Sequence, residues 1–228
     1  MKPVGVIAID GPAASGKSTL GAELAGRLGY LYLDTGAMYR AATLAVLQQS
    51  ITVDDEKAVT LLVSEIEIDV RPPSKDDGRR NDILIDGIDA TWEIRSPEVD
   101  ANVSQVSMYS GVREILTQRQ REIGRRGKVV MVGRDIGTVV LPDADIKIYL
   151  DASAEARARR RHLENEERGN SMSYEDVLEG VKQRDYIDST REIAPLRIAE
   201  DAIVVDSTKL DVSQVFDRVF TLVSNSDS

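Results

Sequence analysis

The chain has 228 residues, 42% of them hydrophobic, and a formal net charge of −10, as expected of a globular protein with one large domain or two small ones. It has no cysteine and a single histidine, His162, which excludes a disulfide framework, a thiolate metal site and a histidine-rich metal cluster. The acidic balance argues against a nucleic-acid partner. Without an 18-residue apolar run or a signal-peptide pattern, we expect a cytoplasmic protein with no membrane association.

The first part of the chain predicts alternating strands and helices. Residues 4–10 form a continuous β-rich run, typical of a buried central strand. A glycine-punctuated turn leads into a helix over 18–28, which Gly29 ends. Three further elements are predicted: a strand over 30–33, a helix over 38–48, and a helix from a cap at Asp54 or Asp55 to about residue 64.

Residues 65–91 depart from this alternation. Apolar β-branched side chains alternate with charged ones over 66–70, and isoleucines recur over 83–88 beyond a polar stretch at 72–81. This pattern predicts an antiparallel hairpin with one solvated face, inserted into the strand–helix series.

The rest of the chain returns to the alternation of strands and helices. Helices are predicted from Pro97, over 112–126, from Ser153 to 168, over 174–186 and over 212–223, and strands over 128–132, 146–150 and 202–205. Strands that alternate with helices predict an α/β protein, with a central parallel sheet covered on both faces.

Residues 11–18, GPAASGKS, fit the phosphate-binding pattern G-x-x-x-x-G-K-S/T. Glycines let the backbone curl so that successive N–H groups point at one anion, and the following helix presents its positive end to it. Lys17 can then reach the terminal phosphates of a nucleoside triphosphate, and the Ser18 hydroxyl can bind Mg²⁺. The alternative is an ordinary strand–helix turn.

A kinase also needs an acceptor site, and several segments could supply it. Residues 34–40, DTGAMYR, and residues 133–135, GRD, each follow a predicted core strand, where ligands bind in such sheets. Arg184, Asp188 and Arg191 have the spacing of one helix face, if the helix continues that far. No guanine-reading N-K-x-D and no L-S-G-G-Q-like run is present, which argues against a signalling GTPase and a transporter-type ATPase.

Arginines are concentrated in one region, with 14 of the 21 between residues 101 and 200. The planar guanidinium binds phosphate at two points. Arg157, Arg160 and Arg161 lie on one helix face, where like charges repel unless a polyanion lies between them. The alternative is a solvated stripe, neutralised by the glutamates at 164, 166 and 167.

Over essentially its whole length, the sequence resembles the bacterial cytidylate kinases, a family of P-loop nucleoside monophosphate kinases. The strings that carry the resemblance are GPAASGKST, LDTGAMYRA, PEV…VSQVS…VREILTQRQR, VGRDIGTVVLPDADIKIYLDAS, RARRRH and KQRDYIDSTREIAPL. It implies a three-layer P-loop fold with a central parallel sheet, an inserted antiparallel β-hairpin in the monophosphate-binding domain, and a helical lid. The implied domains are a core of 1–34, 101–152 and 198–228, a monophosphate-binding domain of 35–100 with its insert at about 65–91, and a lid with acceptor-contacting helices at 153–197.

The resemblance implies transfer of the γ-phosphoryl group of ATP to CMP or dCMP with Mg²⁺, and we expect the protein to be a monomer. Catalysis would rest on Lys17 and the lid arginines Arg157, Arg160 and Arg161, and Ser18 would bind the metal. ATP would be held by Gly11, Pro12, Ala13, Ala14, Ser15, Gly16, Lys17, Ser18 and Thr19. CMP would be held by Asp34, Thr35, Arg40, Arg113, Arg134, Asp135, Arg184, Asp188 and Arg191.

One position departs from the family pattern, and two other functions stay open. The family more often has an acid just before the G-R-D string, where this chain has Val132; Asp34 is the candidate to replace that acid. A weaker signal, residues 206–208 after the last strand, is expected near the adenine. The open alternatives are a P-loop kinase with a different small acceptor and a non-catalytic nucleotide-binding switch.

Overall fold

The computed structural model describes residues 5–167, 169 and 171–226. Val4 of the predicted first strand, Arg168 at the predicted helix end and Asn170 lie outside the described residues. The chain divides into two compact units. The first contains the chain up to Gly29 and from Val130 onward, and the second runs from Tyr30 to Val129.

Strands and helices alternate through most of the chain. The strands are β1 (Val6–Asp10), β2 (Leu31–Asp34), β3 (Ile68–Arg71), β4 (Asp82–Ile85), β5 (Ile88–Asp89), β6 (Val129–Val132), β7 (Ile146–Asp151) and β8 (Ile203–Asp206). The helices are α1 (Lys17–Leu28), α2 (Thr35–Gln48), α3 (Glu56–Glu65), α4 (Pro97–Val106), α5 (Ser110–Arg125), α6 (Ala154–Glu167), α7 (Tyr174–Thr190) and α8 (Val212–Ser226). In the part of the chain that the structure describes there are also two short helical turns, a 3₁₀ turn at Glu93–Arg95 and a π-helical turn at Ile136–Val140.

The larger sheet has five strands in the order β2-β6-β1-β7-β8. β1 pairs with β7 in parallel, with Ile7 opposite Ile146, and β7 pairs with β8 in parallel, with Ile148 opposite Ile203. The buried apolar runs of β1, β6 and β7 are what a strand covered on both faces requires. The predicted α/β class with a central parallel sheet is confirmed.

The predicted insert is confirmed as a small antiparallel sheet, β3-β4-β5. Ile68 lies opposite Ile85 and Val70 opposite Ile83, so the alternating apolar side chains share one buried face. Ile88 differs from the sequence expectation because it is 73% exposed. It belongs to β5, an edge strand of two residues that has little sheet to pack against.

Caps explain several of the helix boundaries. Gly29, with a φ of 68°, ends α1 as predicted, and Asp55 caps α3 by accepting from the Ala58 N–H. α2 begins at Thr35, earlier than expected, because the Asp34 side chain accepts from the Gly36 N–H. α7 continues to Thr190, beyond the predicted end at 186. Among the described residues, no helix has the length and apolarity needed to span a membrane.

Candidate active site

The loop between β1 and α1 has the backbone of a phosphate-binding loop. Gly11 and Gly16 have φ values of 149° and 98°, which disfavour any residue with a side chain. At Gly11 there is also no room, since a Cβ atom would lie 2.2 Å from the Leu150 carbonyl oxygen of β7. Gly16 precedes α1 directly, so the loop leads straight to the positive end of that helix.

Lys17 is the first residue of α1, and its side chain turns back into the loop. The residue is only 5% exposed. Its ammonium donates to the Pro12 carbonyl oxygen at 2.6 Å and to the Ser15 hydroxyl at 3.3 Å. A positive charge is therefore held within the loop, among backbone groups that suit an anion.

Arg160 of α6 ties the loop to the chain that follows β8. Its guanidinium donates to the Ser15 carbonyl oxygen at 3.2 Å and to the Ser207 carbonyl oxygen at 2.5 Å. The Ser207 hydroxyl also donates to the Ser15 carbonyl oxygen, at 3.3 Å. The stretch 206–208, a weak signal in the sequence, therefore lies against the phosphate-binding loop.

Arg157 makes a second connection between α6 and the loop. It is 4% exposed, and its Nη1 donates to the Ala13 carbonyl oxygen at 3.2 Å. The same guanidinium binds both carboxylate oxygens of Asp185 on α7, at 2.9 and 2.6 Å. Arg161 differs, because it pairs with Glu164 on its own helix and is half exposed. The solvated-stripe interpretation therefore fits Arg161 and does not fit Arg157 or Arg160.

Asp188, one helical turn after Asp185, is the centre of an arginine cluster. Its side chain is 2% exposed and binds Arg134 Nε at 2.9 Å and Arg184 Nε at 3.3 Å. Burial alone would raise the pKa of Asp188, but the charges of Arg134 and Arg184 outweigh burial and hold the pKa below its usual range. A buried carboxylate thus orients two arginines of the predicted acceptor set.

The remaining predicted acceptor residues of this unit are also paired. Arg191 follows the last residue of α7, and its Nη2 lies 3.6 Å from Asp135 Oδ1. Arg191 Nε donates to the Ala194 carbonyl oxygen at 2.7 Å. The chain segments 133–135 and 184–191, distant in sequence, therefore contact each other through two ion pairs.

Asp10 is a buried carboxylate that the sequence interpretation did not include in the site. It ends β1, immediately before Gly11, and is 5% exposed. Its Oδ1 accepts from the Ile136 N–H at 2.8 Å and its Oδ2 from the Gly137 N–H at 2.7 Å. Burial raises the pKa of Asp10 from 3.8 to about 6, against the lowering effect of those two hydrogen bonds.

The raised pKa of Asp10 predicts a pH dependence of stability that Asp10→Asn removes. The folded state holds this proton more tightly than the unfolded chain, so the contribution of Asp10 to stability falls as pH rises from 3.8 to about 6. Across that interval we expect the free energy of unfolding of the wild type to fall by about 3 kcal/mol relative to Asp10→Asn. Urea unfolding of both proteins at a series of pH values measures the difference, and a constant difference would contradict the assignment.

The second unit holds four predicted acceptor residues near the start of α2. Asp34 caps that helix, Thr35 is its first residue, and Arg40 donates to the Ile94 carbonyl oxygen at 3.3 Å. Arg40 also pairs with Asp100. The guanidinium of Arg113, a 4% exposed residue of α5, lies over the Tyr39 ring, 5.6 Å from its centroid.

Two residues that contribute to these networks were missed in the sequence, Asp10 and Asp185, whereas Ser207 belongs to the weak signal at 206–208. Asp10 carried a usable signal, because a carboxylate at the end of an otherwise apolar buried strand needs partners. Asp185 stands beside Arg184 in a motif already recognised, but its partner on α6 is 28 positions away. Such a pairing depends on how two helices pack, which sequence spacing does not specify.

Comparisons with known proteins agree with the resemblance seen in the sequence. The family model described as cytidylate kinase matches residues 7–225. The cytidylate kinase of Geobacillus sp. (strain WCH70) is 49% identical over 218 residues, which cover 96% of each chain. That of Bacillus velezensis is 48% identical over 217 residues, which cover 95% of each. The crystal structure of TT1252 from Thermus thermophilus covers 100% of both chains, with a TM-score of 0.52 and 19% identity, a similarity of fold alone.

Proposed function

The chain belongs to the cytidylate kinase family, and from that membership and its site we propose that it transfers the γ-phosphoryl group of ATP to CMP and dCMP. The products are ADP and CDP or dCDP. The observation that carries the proposal lies in the first unit. Two carboxylates one turn apart on α7 bind two different arginine systems, Asp185 with the loop-contacting Arg157 and Asp188 with Arg134 and Arg184.

We assign the donor nucleotide to the phosphate-binding loop, residues 11–19. Phosphoryl transfer spreads negative charge over the oxygens of the migrating group, so the protein mainly positions and neutralises. The ammonium of Lys17, held 2.6 Å from the Pro12 carbonyl oxygen, is the positive charge that the loop itself contains for that purpose. Arg157 and Arg160, which contact the carbonyls of Ala13 and Ser15, supply further positive charge beside the loop.

Mg²⁺ is the cofactor that this chemistry implies, and the donor set suits it. Mg²⁺ keeps several waters and substrate phosphate oxygens, so one or two protein ligands are enough. The hydroxyl of Ser18, the second residue of α1, is the proposed ligand, and no cage of three acidic or histidine side chains occurs among the residues that the structure describes. When bound, the ion would neutralise phosphate charge. Val132 is buried in β6 and offers no ligand for the ion. We therefore propose that Asp34 replaces the acid that the family more often has at position 132.

We assign the acceptor nucleotide to two sets of residues. In the first unit, Arg134, Arg184 and Arg191 would bind phosphate or base, and Asp188 and Asp135 orient them through the ion pairs described above. An ionised carboxylate has only acceptor positions, so Asp188 can also accept from a ribose hydroxyl. In the second unit, Asp34, Thr35, Arg40 and Arg113 are the proposed contacts.

The chemical step needs no dedicated general base. The acceptor oxygen belongs to the phosphate of CMP, which is largely ionised near neutral pH. That oxygen forms the new bond to phosphorus as the bond from the γ-phosphorus to the bridging oxygen of ATP breaks, and ADP leaves with the electron pair. Closure of α6, the helix that carries both Arg157 and Arg160, would exclude water, which could otherwise accept the phosphoryl group.

A substrate screen tests the proposed function directly. The purified protein is incubated with MgATP and each acceptor in turn: CMP, dCMP, UMP, AMP, GMP, and small hydroxy acids such as gluconate and shikimate. We expect CMP and dCMP to have by far the highest kcat/KM. Preference for a non-nucleotide acceptor would establish the alternative of a different P-loop kinase, and ATP binding without turnover would establish a nucleotide-binding switch.

Arg184→Ala is expected to raise the KM for CMP by about 10–100-fold and to change the KM for ATP by less than about twofold. Arg184 contacts Asp188 and is assigned to the acceptor alone, and one hydrogen bond to a charged group accounts for a change of that size. Initial rates with each substrate varied in turn measure both constants. Arg218→Ala, an exposed arginine on α8, is the matched control. Equal increases in both KM values would refute the assignment.

A further inference from the structure

We propose that Asp10 is a positioning residue for CMP binding: its ionised carboxylate fixes the Ile136 and Gly137 N–H groups and thereby the preceding residues Arg134 and Asp135. The inference rests on the proposed function and extends it to a residue that contacts neither nucleotide in that assignment. The inference follows from the position of Asp10 between the donor loop and the turn at 136–140. Gly11 of the donor loop comes next in the chain, and the first two N–H groups of the π-helical turn, those of Ile136 and Gly137, donate to the Asp10 side chain.

The two hydrogen bonds are strongest with an ionised carboxylate. Each oxygen of Asp10 accepts from a different backbone N–H, at 2.8 and 2.7 Å. An asparagine has a single acceptor oxygen, and its amide nitrogen would face the second N–H with another donor. A protonated carboxyl likewise has a hydroxyl group in place of one acceptor. Asparagine therefore leaves one buried N–H without its partner, and protonation weakens that hydrogen bond; both changes are costly in an apolar interior.

The turn at 136–140 transmits the position of Asp10 to the acceptor residues. The Asp135 carbonyl oxygen accepts from the Val139 and Val140 N–H groups, so this turn and Asp135 form one hydrogen-bonded unit. Arg134, one position earlier, binds Asp188 at 2.9 Å. The Gly133 N–H donates to the Ile9 carbonyl oxygen at 3.0 Å, which attaches the start of the segment to β1 as well. β1 therefore forms hydrogen bonds with both ends of the segment 133–137.

The protonation of Asp10 should make this support depend on pH. Burial, together with the nearby charge of Asp135, raises the pKa of Asp10 to about 6 against the lowering effects of the two backbone N–H groups and of Lys17. The ionisable groups that face Asp10 come from three elements: Asp135 before the turn, Lys17 on α1, and Tyr149 and Lys147 on β7. β6 presents only apolar residues. Below about pH 6 the hydrogen bonds from Ile136 and Gly137 to Asp10 should therefore weaken, and residues 133–135 should be held in place less firmly.

The first experiment compares KM values for the wild type and Asp10→Asn at several pH values. At pH 8 we expect the variant to have a KM for CMP about tenfold higher, the effect of one hydrogen bond to a charged group, with a KM for ATP within about twofold. At pH 5 the ratio of the two CMP KM values should fall to about twofold, because the wild type is then protonated too. The phosphate of CMP also titrates near pH 6, but that effect cancels in the ratio.

Asp145→Asn is the matched control. Asp145 also accepts two backbone N–H groups of the same strand region, from Gly5 at 2.8 Å and Val6 at 2.9 Å, but at the opposite end of β1. We expect its KM for CMP to equal that of the wild type at every pH, measured by chromatographic separation of CDP. Two results would overturn the proposal. One is an equal increase of the KM for CMP and the KM for ATP in Asp10→Asn. The other is a ratio of the CMP KM values of variant and wild type that does not change with pH.

A second measurement needs neither a folded variant nor activity. In an NMR titration of the wild type, the amide resonances of Ile136 and Gly137 should move together with a midpoint near pH 6, following the pKa of Asp10. Amides at 136 and 137 that do not titrate there would refute the inference even if CMP is phosphorylated. Absence of CMP phosphorylation by the wild type would instead refute the proposed function.

Discussion

Lys17→Met is expected to lower kcat for CMP phosphorylation by at least about 10²–10³-fold, the usual cost of removing one charge-stabilising donor from a phosphoryl or acyl transfer site. The methionine keeps most of the buried aliphatic length of a side chain that is 5% exposed, and it removes the ammonium that donates to the Pro12 carbonyl oxygen. The fold should persist, because the glycines and the α1 N-terminus shape the loop backbone.

The controls for Lys17→Met separate the loss of charge from damage to the loop. Lys57→Met removes an exposed lysine from α3 and should leave kcat unchanged. Far-ultraviolet circular dichroism and the melting temperature report the fold, and CMP binding measured by calorimetry reports the acceptor site, which should survive. A kcat within tenfold of the wild type would contradict the electrostatic role of Lys17.

Asp188→Ala is expected to have the largest combined effect on binding and stability. Its removal leaves Arg134 and Arg184 beside a buried site without their shared carboxylate. Breaking one side of a buried ion pair costs about 3–5 kcal/mol, so we expect the free energy of unfolding to fall by about 3 kcal/mol. We also expect the KM for CMP to rise by about 100-fold or more, since two acceptor arginines lose their orientation.

Two comparisons make the Asp188 result specific. Glu179→Ala, on an exposed position of the same helix α7, should change neither stability nor KM. Asp188→Asn keeps the shape and removes the charge, so it should lie between the wild type and Asp188→Ala in both measurements. If Asp188→Ala lowers stability but leaves the KM for CMP unchanged, the carboxylate has a structural role alone.

Much of this fold could be predicted from local pattern, because the local signals and the tertiary structure agree. Gly29 ends α1 and Asp55 caps α3 where the sequence predicts. The alternation of apolar and charged residues over 66–70 corresponds to β3 in the structure, with Ile68 and Val70 on the buried face. These features depend on residues within a few positions of one another, and such signals are present in a single sequence.

The features that could not be predicted depend on residues far apart in the chain. The spacing of Arg157, Arg160 and Arg161 placed all three on one face, yet two contact the phosphate-binding loop while the third binds Glu164. The difference arises where α6 meets the loop, 140 or more positions earlier in the sequence. The π-helical turn at Ile136–Val140 was missed for a similar reason, since its first N–H groups are bound by Asp10.

The two carboxylates of α7 have a mechanical consequence for that helix. Asp185 and Asp188 are three residues apart, so their side chains leave the helix in nearly the same direction, about 4.5 Å apart along its axis. Each is bound by arginines from outside the helix, Arg157 on α6 and Arg134 after β6. A rotation of α7 about its own axis would stretch both ion pairs at once. These contacts therefore resist twisting of α7, and a tilt of the helix can loosen one pair while the other holds.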